Sequence, residues 1–194
     1  MENTFLFVEK YRPTKINDCI LTKQLKETFS KFVEQKHIPN LLLTGGAGVG
    51  KTTVAKAMVN EIGATWYMIN GSEESGIDVL RTKIKNFAST SSLEGGRKYV
   101  IIDEAAFVKQ LTIDQAILPT LNPNGKKCLL ISTPKSRNHF YNWYMKPEVF
   151  SMRFKLEDCP YINKEVIDIA KKSLPHDIYL QEYEAQFVDS SNDV

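Results

Sequence analysis

Gly45-Gly46-Ala47-Gly48-Val49-Gly50-Lys51-Thr52 puts glycines, an ammonium group and a hydroxyl into one short run, in the order G-x-x-x-x-G-K-[ST]. Glycine lets a loop turn its backbone N–H groups inward, where they meet the oxygens of an anion. A helix that starts where the loop ends adds the positive end of its dipole. In this order, the P-loop motif, Lys51 reaches the β- and γ-phosphates of a nucleotide and Thr52 ligates Mg²⁺. The grip on phosphate then runs from Gly45 to Thr53. Such a run grips phosphate when a strand leads in and a helix leads away. Leu41-Leu42-Leu43-Thr44, after Pro39-Asn40, reads as a buried strand, and Thr53-Val54-Ala55-Lys56-Ala57-Met58-Val59 reads as a helix.

A second constellation fits the first. Lys98-Tyr99-Val100-Ile101-Ile102-Asp103-Glu104 is an apolar strand ending in two carboxylates, the form of a Walker B segment. The metal needs a carboxylate opposite the Thr52 hydroxyl; Asp103 supplies it through the water shell, and Glu104 stands where it can polarise an attacking water. The next strand, Lys127-Cys128-Leu129-Leu130-Ile131, ends in Ser132-Thr133-Pro134-Lys135. A hydroxyl at Ser132 or Thr133 can sense the γ-phosphate and relay hydrolysis to a moving element, although the same residues also suit a plain turn. The chemistry implied is Mg²⁺-dependent nucleoside triphosphate hydrolysis, with Lys51, Asp103, Glu104, Ser132 and Thr133 as its catalytic set; adenine as the base is what the resemblance below implies.

These residues need elements to hold them. Thr22 can cap a helix reaching about His37, with Leu25, Phe29, Phe32 and Val33 on one face. Gly63 stops the P-loop helix, Thr65 to Asn70 is rich in strand formers, and Gly71-Ser72 turns the chain. Ile77, Leu80, Ile84 and Phe87 have helical spacing up to about Thr90, and Ser89 to Ser92 with Gly95-Gly96 forms a loop. Leu111 to Leu118 reads as a helix closed by Pro119 and the turn Asn122-Pro123-Asn124-Gly125. Ser136 to Tyr144 is basic at one end and aromatic at the other. It suits either a helix packing Phe140, Trp143 and Tyr144 into the core or a stacking surface for a single strand, and helical spacing favours packing. His139 is read as a packing or solvent residue. Phe150 to Leu156 alternates as a fifth strand, and two helices, about Asn163 to Ser173 and Asp177 to Phe187, complete the pattern. Strand–helix alternation implies parallel pairing through right-handed crossovers.

Composition sets the outer bounds. A chain of 194 residues can bury one substantial core, and 42% hydrophobic with 25% charged residues is ordinary for a globular protein. A net charge of +2 gives no global field, so any DNA contact has to come from a local patch. Cys19, Cys128 and Cys159 lack metal-ligand spacing or a paired framework and read as reduced thiols in a cytoplasmic protein, Cys128 within a strand core. No apolar run approaches membrane-spanning length, which leaves membrane partners out of the expectation.

From Glu9 to about Glu104 the sequence resembles the small ATPase subunit of sliding-clamp loaders, a group of AAA+ proteins. The resemblance rests on Glu9-Lys10-Tyr11-Arg12-Pro13, Ile38 to Leu43, the P-loop, Thr52 to Ala57, Ile69-Asn70-Gly71-Ser72 and Val100 to Glu104. It implies that Tyr11, Arg12 and Pro13 lie against an adenine; composition alone leaves them a loop that caps the core or touches nucleotide. Beyond Glu104 the clamp-loader pattern lapses: Ser151-Met152-Arg153 imitates its arginine finger poorly. That half is similar to the ATPase domain of phage large terminases at Ile102 to Phe107, Ile131 to Lys135, Asn138 to Tyr141, Pro160 to Asn163 and Gln181 to Phe187. There Ser132 and Thr133 would be the motif coupling hydrolysis to DNA movement.

Taken together the resemblances imply a chimera joined within or near the shared Walker B strand, acting in a phage-type DNA replication or packaging machine. The expected architecture is α/β, a three-layer P-loop NTPase with a five-stranded parallel sheet in the order 5-1-4-3-2. Residues 1–157 are expected to form the ATPase core and 158–194 a C-terminal helical extension packed on it, the last residues flexible. ATP and Mg²⁺ are the implied cofactors. A sliding clamp or a portal and procapsid are the implied partners, with an oligomeric ring as the assembly. Arg137 and Arg153 are candidates to act in trans on a neighbour's nucleotide. The alternative is a nucleotide-binding interaction domain with little or no turnover.

Overall fold

The computed structural model of the chain describes residues 10–73, 77–90, 97–117, 119 and 127–188. Phe5 to Val8, Glu9, the loop from Ser91 to Gly96, Leu118, the Asn122 to Gly125 turn and the residues expected to be flexible at the chain's end lie outside the described residues.

Five strands form one parallel sheet: β1 (Leu41–Gly45), β2 (Thr65–Asn70), β3 (Lys98–Asp103), β4 (Lys127–Ser132) and β5 (Phe150–Phe154). Their spatial order is β2-β3-β4-β1-β5, the order expected from the sequence. The three central strands are buried along most of their length, as strands covered on both faces are. Side chains alternate between the faces. Leu41, Leu43, Tyr99, Ile101, Leu129 and Ile131 point into one core with Phe29, Val54 and Met58, and Leu42, Val100, Ile102 and Leu130 point into the other with Leu80, Ile84 and Phe140. Two side chains close the sheet's amino end. The buried Tyr99 hydroxyl accepts the Ile38 N–H at 3.2 Å, and the Asn40 side-chain carbonyl accepts the Cys128 N–H at 3.3 Å.

The register brings the functional ends together. Thr44 pairs with Ser132, Ile102 with Leu130, and Asn70 with Asp103, so β1, β3 and β4 deliver the P-loop, the carboxylates and Ser132 to one edge. Helices cover both faces: α1 (Lys23–Glu34) and α2 (Lys51–Glu61) on one, α3 (Ile77–Ser89) on the other. Helix α1 stops before His37 because Lys36 adopts a left-handed φ of 47° and His37 N–H returns to the Phe32 carbonyl. The C-terminal end of α3 is met by Lys98, whose buried ammonium donates to the Phe87 carbonyl and the Thr90 hydroxyl, each at 2.7 Å.

Three expected elements differ. Leu111 to Leu118 is not one α-helix: an α-turn at Gln110–Thr112 widens into a π-helix at Ile113–Ile117, keeping Ile113 and Ile117 buried while Arg81 donates to the Gln115 carbonyl at 2.9 Å. The fifth strand ends at Phe154 and gives way to a 3-10 turn at Leu156–Asp158. After α4 (His139–Tyr144) and α5 (Lys164–Ser173), α6 (His176–Glu182) ends well short of Phe187, because Ala185 takes a left-handed φ of 53°. Of the aromatic residues on α4, Phe140 is buried and Trp143 and Tyr144 are half-buried.

Candidate nucleotide site

The loop between β1 and α2 combines two kinds of glycine. Gly48 and Gly50 have φ of 74° and 90°, a region that penalises any side chain, so they shape the turn. Gly45 and Gly46 are required by close approach: a Cβ on Gly45 would lie 2.6 Å from the Phe154 carbonyl oxygen, and one on Gly46 would run into the Glu182 carbonyl. Val49 packs against the core beneath α2. The face left to a ligand is built by Ala47, Gly48 and Gly50 with Lys51, Thr52 and Thr53, lining a pocket of about 490 Å³.

Lys51 is buried, and its ammonium donates to the carbonyls of Gly45 at 2.9 Å and Gly46 at 2.6 Å. Burial lowers its pKa, while the carboxylates of Glu104, Asp103 and Glu182 act against that fall. One residue on, the Thr52 hydroxyl donates to Asp103 Oδ2 at 2.7 Å. The donor set is one hydroxyl and one carboxylate oxygen, hard ligands suited to a small divalent cation that keeps most of its own water. Among the described residues no group of three or more His, Cys, Asp or Glu could hold a metal by itself, so Thr52 and Asp103 fit Mg²⁺ rather than a metal caged by protein.

Glu104 sits just past β3 with φ 50° and ψ 40°, a left-handed conformation uncommon outside glycine. Its carboxylate accepts the Ser132 hydroxyl at 3.4 Å, and the same hydroxyl accepts the Ala106 N–H at 3.2 Å. Thr133 is buried next to it; among the described residues the hydrogen bond to Glu104 comes from Ser132. The turn after Glu104 is held by two residues whose role sequence reading missed. Asn138 caps α4 and donates its amide to the Ala106 carbonyl at 3.2 Å, and His139 Nε2 lies 3.1 Å from the Ala105 carbonyl. His139 is thus a brace, not a solvent residue.

Of Tyr11, Arg12 and Pro13, it is Arg12 that lines the pocket, its guanidinium donating to the Thr53 hydroxyl at 2.9 Å. Tyr11 is 71% exposed beside the Lys10 ammonium. Lys56 and Met68 also line the pocket. Lys56 was legible in principle, since it lies one turn beyond Thr52 on the same helix face. Arg137, 5.6 Å from the Tyr141 ring, and Arg153, on edge strand β5, are both exposed.

Residues 41–122 match the ATPase family associated with various cellular activities, AAA. This stretch is similar to AAA ATPase domains. The chain is 32% identical over 198 residues to the replication factor C small subunit of Archaeoglobus fulgidus, an alignment covering 93% of this chain and 60% of that protein. It is 40% identical over 104 residues to the sliding-clamp-loader large subunit of Enterobacteria phage T4, covering 53% of this chain and 32% of that one. The chain therefore spans less than two thirds of the length of these curated relatives. In fold, the chain resembles the large terminase ATPase domain of Thermus phage P74-26, with a TM-score of 0.56, 17% identity, and coverage of 88% of this chain and 100% of that one. Among the described residues no helix is long and apolar enough to cross a membrane.

Proposed function

We propose that this chain is the ATP-binding and Mg²⁺-dependent ATP-hydrolysing module of a DNA replication machine of the clamp-loader kind. The observation that carries the reading is the 2.7 Å contact between the Thr52 hydroxyl and Asp103, made across the pocket that buries Lys51. Bound Mg²⁺ supplies charge neutralisation to the β- and γ-phosphates. The protein's own part is positional. Gly48 and Gly50 turn the loop's N–H groups to phosphate, Lys51 places a cation beside them, and Thr52 and Asp103 hold the metal. Arg12 fixes the entrance through Thr53, and Glu104 orients the attacking water while Ser132 steadies its carboxylate. Arg137 and Arg153 are the groups offered to a neighbouring subunit in a ring, and their exposure suits that role.

The relatives named for clamp loading favour a sliding clamp as partner. The coupling half around Ser132 and α4 also suits a packaging motor, whose partner would be a portal or procapsid, and a join of the two kinds within β3 remains part of the proposal. Such a join is physically mild, because both halves put their acidic pair on the same central strand. Within this reading residues 158–194 are an extension seated on the ATPase core of residues 1–157.

A second reading, a nucleotide-binding interaction domain with little turnover, has its own support. The Lys51 ammonium is engaged by the carbonyls of Gly45 and Gly46 and must turn from them before it can meet phosphate. The deciding measurement is ATPase rate against protein concentration, with and without DNA. A rate per subunit that rises with concentration and is abolished by Lys51→Ala supports the assembled enzyme. Turnover unchanged in Lys51→Ala rejects the site, and nucleotide binding without turnover at any concentration establishes the second reading.

A further inference from the structure

The P-loop is touched from outside by the end of α6. The Glu182 carbonyl lies so close to the Gly46 α-carbon that a methyl group there would come within 2.9 Å of the Glu182 carbonyl carbon. The touched residue is also the one whose carbonyl accepts the Lys51 ammonium at 2.6 Å. After Glu182 the chain neither leaves the core nor continues as a helix. Tyr183 accepts the Leu156 N–H on its carbonyl at 3.0 Å, Ala185 turns through its left-handed φ while buried, and Gln186 N–H returns to the Leu180 carbonyl at 2.9 Å. Phe187 then enters an aromatic cluster on α4, its ring centroid 6.0 Å from Phe140, 5.1 Å from Tyr141 and 5.1 Å from Tyr144. Helix α4 is in turn pinned to the turn after Glu104 through Asn138 and His139.

We infer that Glu182 to Phe187 is a latch that holds the Gly46 peptide against the Lys51 ammonium and links the P-loop to the Glu104 side of the pocket. This rests on the nucleotide-site reading above. A ligand's phosphates compete for the Lys51 ammonium with the Gly45 and Gly46 carbonyls, and a shift of the Gly46 peptide away from Lys51 weakens the carbonyls' hold. The Glu182 carbonyl blocks that shift from behind. A carboxylate and the carbonyl end of α6 beside Lys51 also favour its ammonium where it stands. The latch is anchored by Phe187, so movement of Gly46 is passed to α4 and from there to Ala105 and Ala106. Coupling of this kind is reciprocal: what phosphate does to the latch, loss of the latch does to phosphate affinity.

The test is ADP affinity by calorimetry in the full chain, with Phe187→Ala as the perturbation. Phe187 lies outside the pocket, and the Ala variant removes the anchor without touching a ligand contact. The latch predicts that Phe187→Ala binds ADP more tightly, by about fivefold or more, the low end of measured couplings. Damage to the fold loosens binding; a lost restraint tightens it, so the sign separates the two. Equal or weaker ADP binding by a variant with a cooperative melting transition overturns the latch and leaves the nucleotide site standing. If the unaltered chain binds no ADP, the site reading fails and the latch with it. Should Phe187→Ala not fold, Phe187→Leu, which keeps apolar volume and loses the ring contacts, carries the same test, with tightening expected and unchanged or weaker affinity refuting it.

Discussion

Gly71→Ala is the substitution whose effect the geometry constrains most tightly. Gly71 opens the turn after β2, and its N–H donates to the Asp103 carbonyl at 2.8 Å. It is not among the glycines with positive φ, so alanine accepts its backbone and the added methyl is the whole perturbation. That methyl would lie 2.7 Å from the Glu104 carbonyl oxygen, 3.1 Å from the Asp103 carbonyl oxygen and 2.5 Å from Val108 Cγ2. An ordinary carbon–oxygen contact is about 3.3–3.6 Å, so the backbone carrying both carboxylates has to retreat by about half an ångström or more. Overpacking of this kind costs about 1–3 kcal/mol of stability.

The functional effect is one-sided. None of the atoms the methyl meets belongs to the P-loop or Lys51, whereas Glu104 moves relative to any water it orients. If a misplacement of about 1 Å costs roughly a hundredfold in rate, half of that costs about tenfold. The expected result is a kcat about tenfold lower with ADP affinity changed by less than about twofold, measured by steady-state ATPase assay and calorimetry on the same preparation. A folded Gly71→Ala protein with unaltered kcat, or one whose loss lies wholly in affinity, would refute the placement of Glu104 beside the attacking water.

Other outcomes follow from single contacts. Asp103→Asn keeps the hydrogen-bond geometry to Thr52 but removes the charge, so ATP binding should lose its dependence on Mg²⁺ while binding without metal is retained; a titration of affinity against Mg²⁺ checks this. Thr44 Oγ1 is the buried side-chain polar atom without a hydrogen-bond partner among the described residues, and Thr44→Val should raise stability by about 1 kcal/mol in chemical denaturation, where any loss would point to a hidden partner. Burial pushes the Cys128 thiol up to about 12 and, with Asp18 adding to it, the Cys19 thiol up to about 11. At pH 8 the Cys128 thiolate is then about one part in ten thousand, so iodoacetamide should label Cys159 first and the buried Cys19 and half-buried Cys128 far more slowly, as read by mass spectrometry.

What could be read from the chain was whatever depends on local pattern. Leu41 to Thr44, Thr65 to Asn70 and Lys98 to Asp103 are apolar or β-branched runs bounded by turn formers, and the parallel sheet follows from their alternation with helices. The motif spacing identified Lys51, Thr52 and Asp103 as a group, and the fold sets Thr52 against Asp103 although 51 positions separate them. Boundaries governed by tertiary contact were not readable. The end of α6 depends on Ala185 turning left-handed to bury itself, and nothing in Glu184-Ala185-Gln186 announces a stop. The wide turn at Ile113–Ile117 likewise depends on Arg81, distant in sequence. The bracing role of Asn138 and His139 was not readable because their partners are backbone carbonyls, which leave no trace in residue type.

The same distinction explains why the P-loop glycines were understood only in part. A motif records which positions must lack a side chain, not the reason at each. Gly48 and Gly50 are free of one so that the loop can face a ligand, but Gly45 and Gly46 are free of one so that Phe154 and Glu182 can press on the loop from the protein side. Lys51 consequently has two sets of partners in reach: a phosphate in the pocket, and the carbonyls of those two pressed glycines, to which it donates. Affinity at such a site is a difference between the two, so residues that never meet the ligand, Glu182 and Phe187 foremost, belong to any account of how tightly it binds.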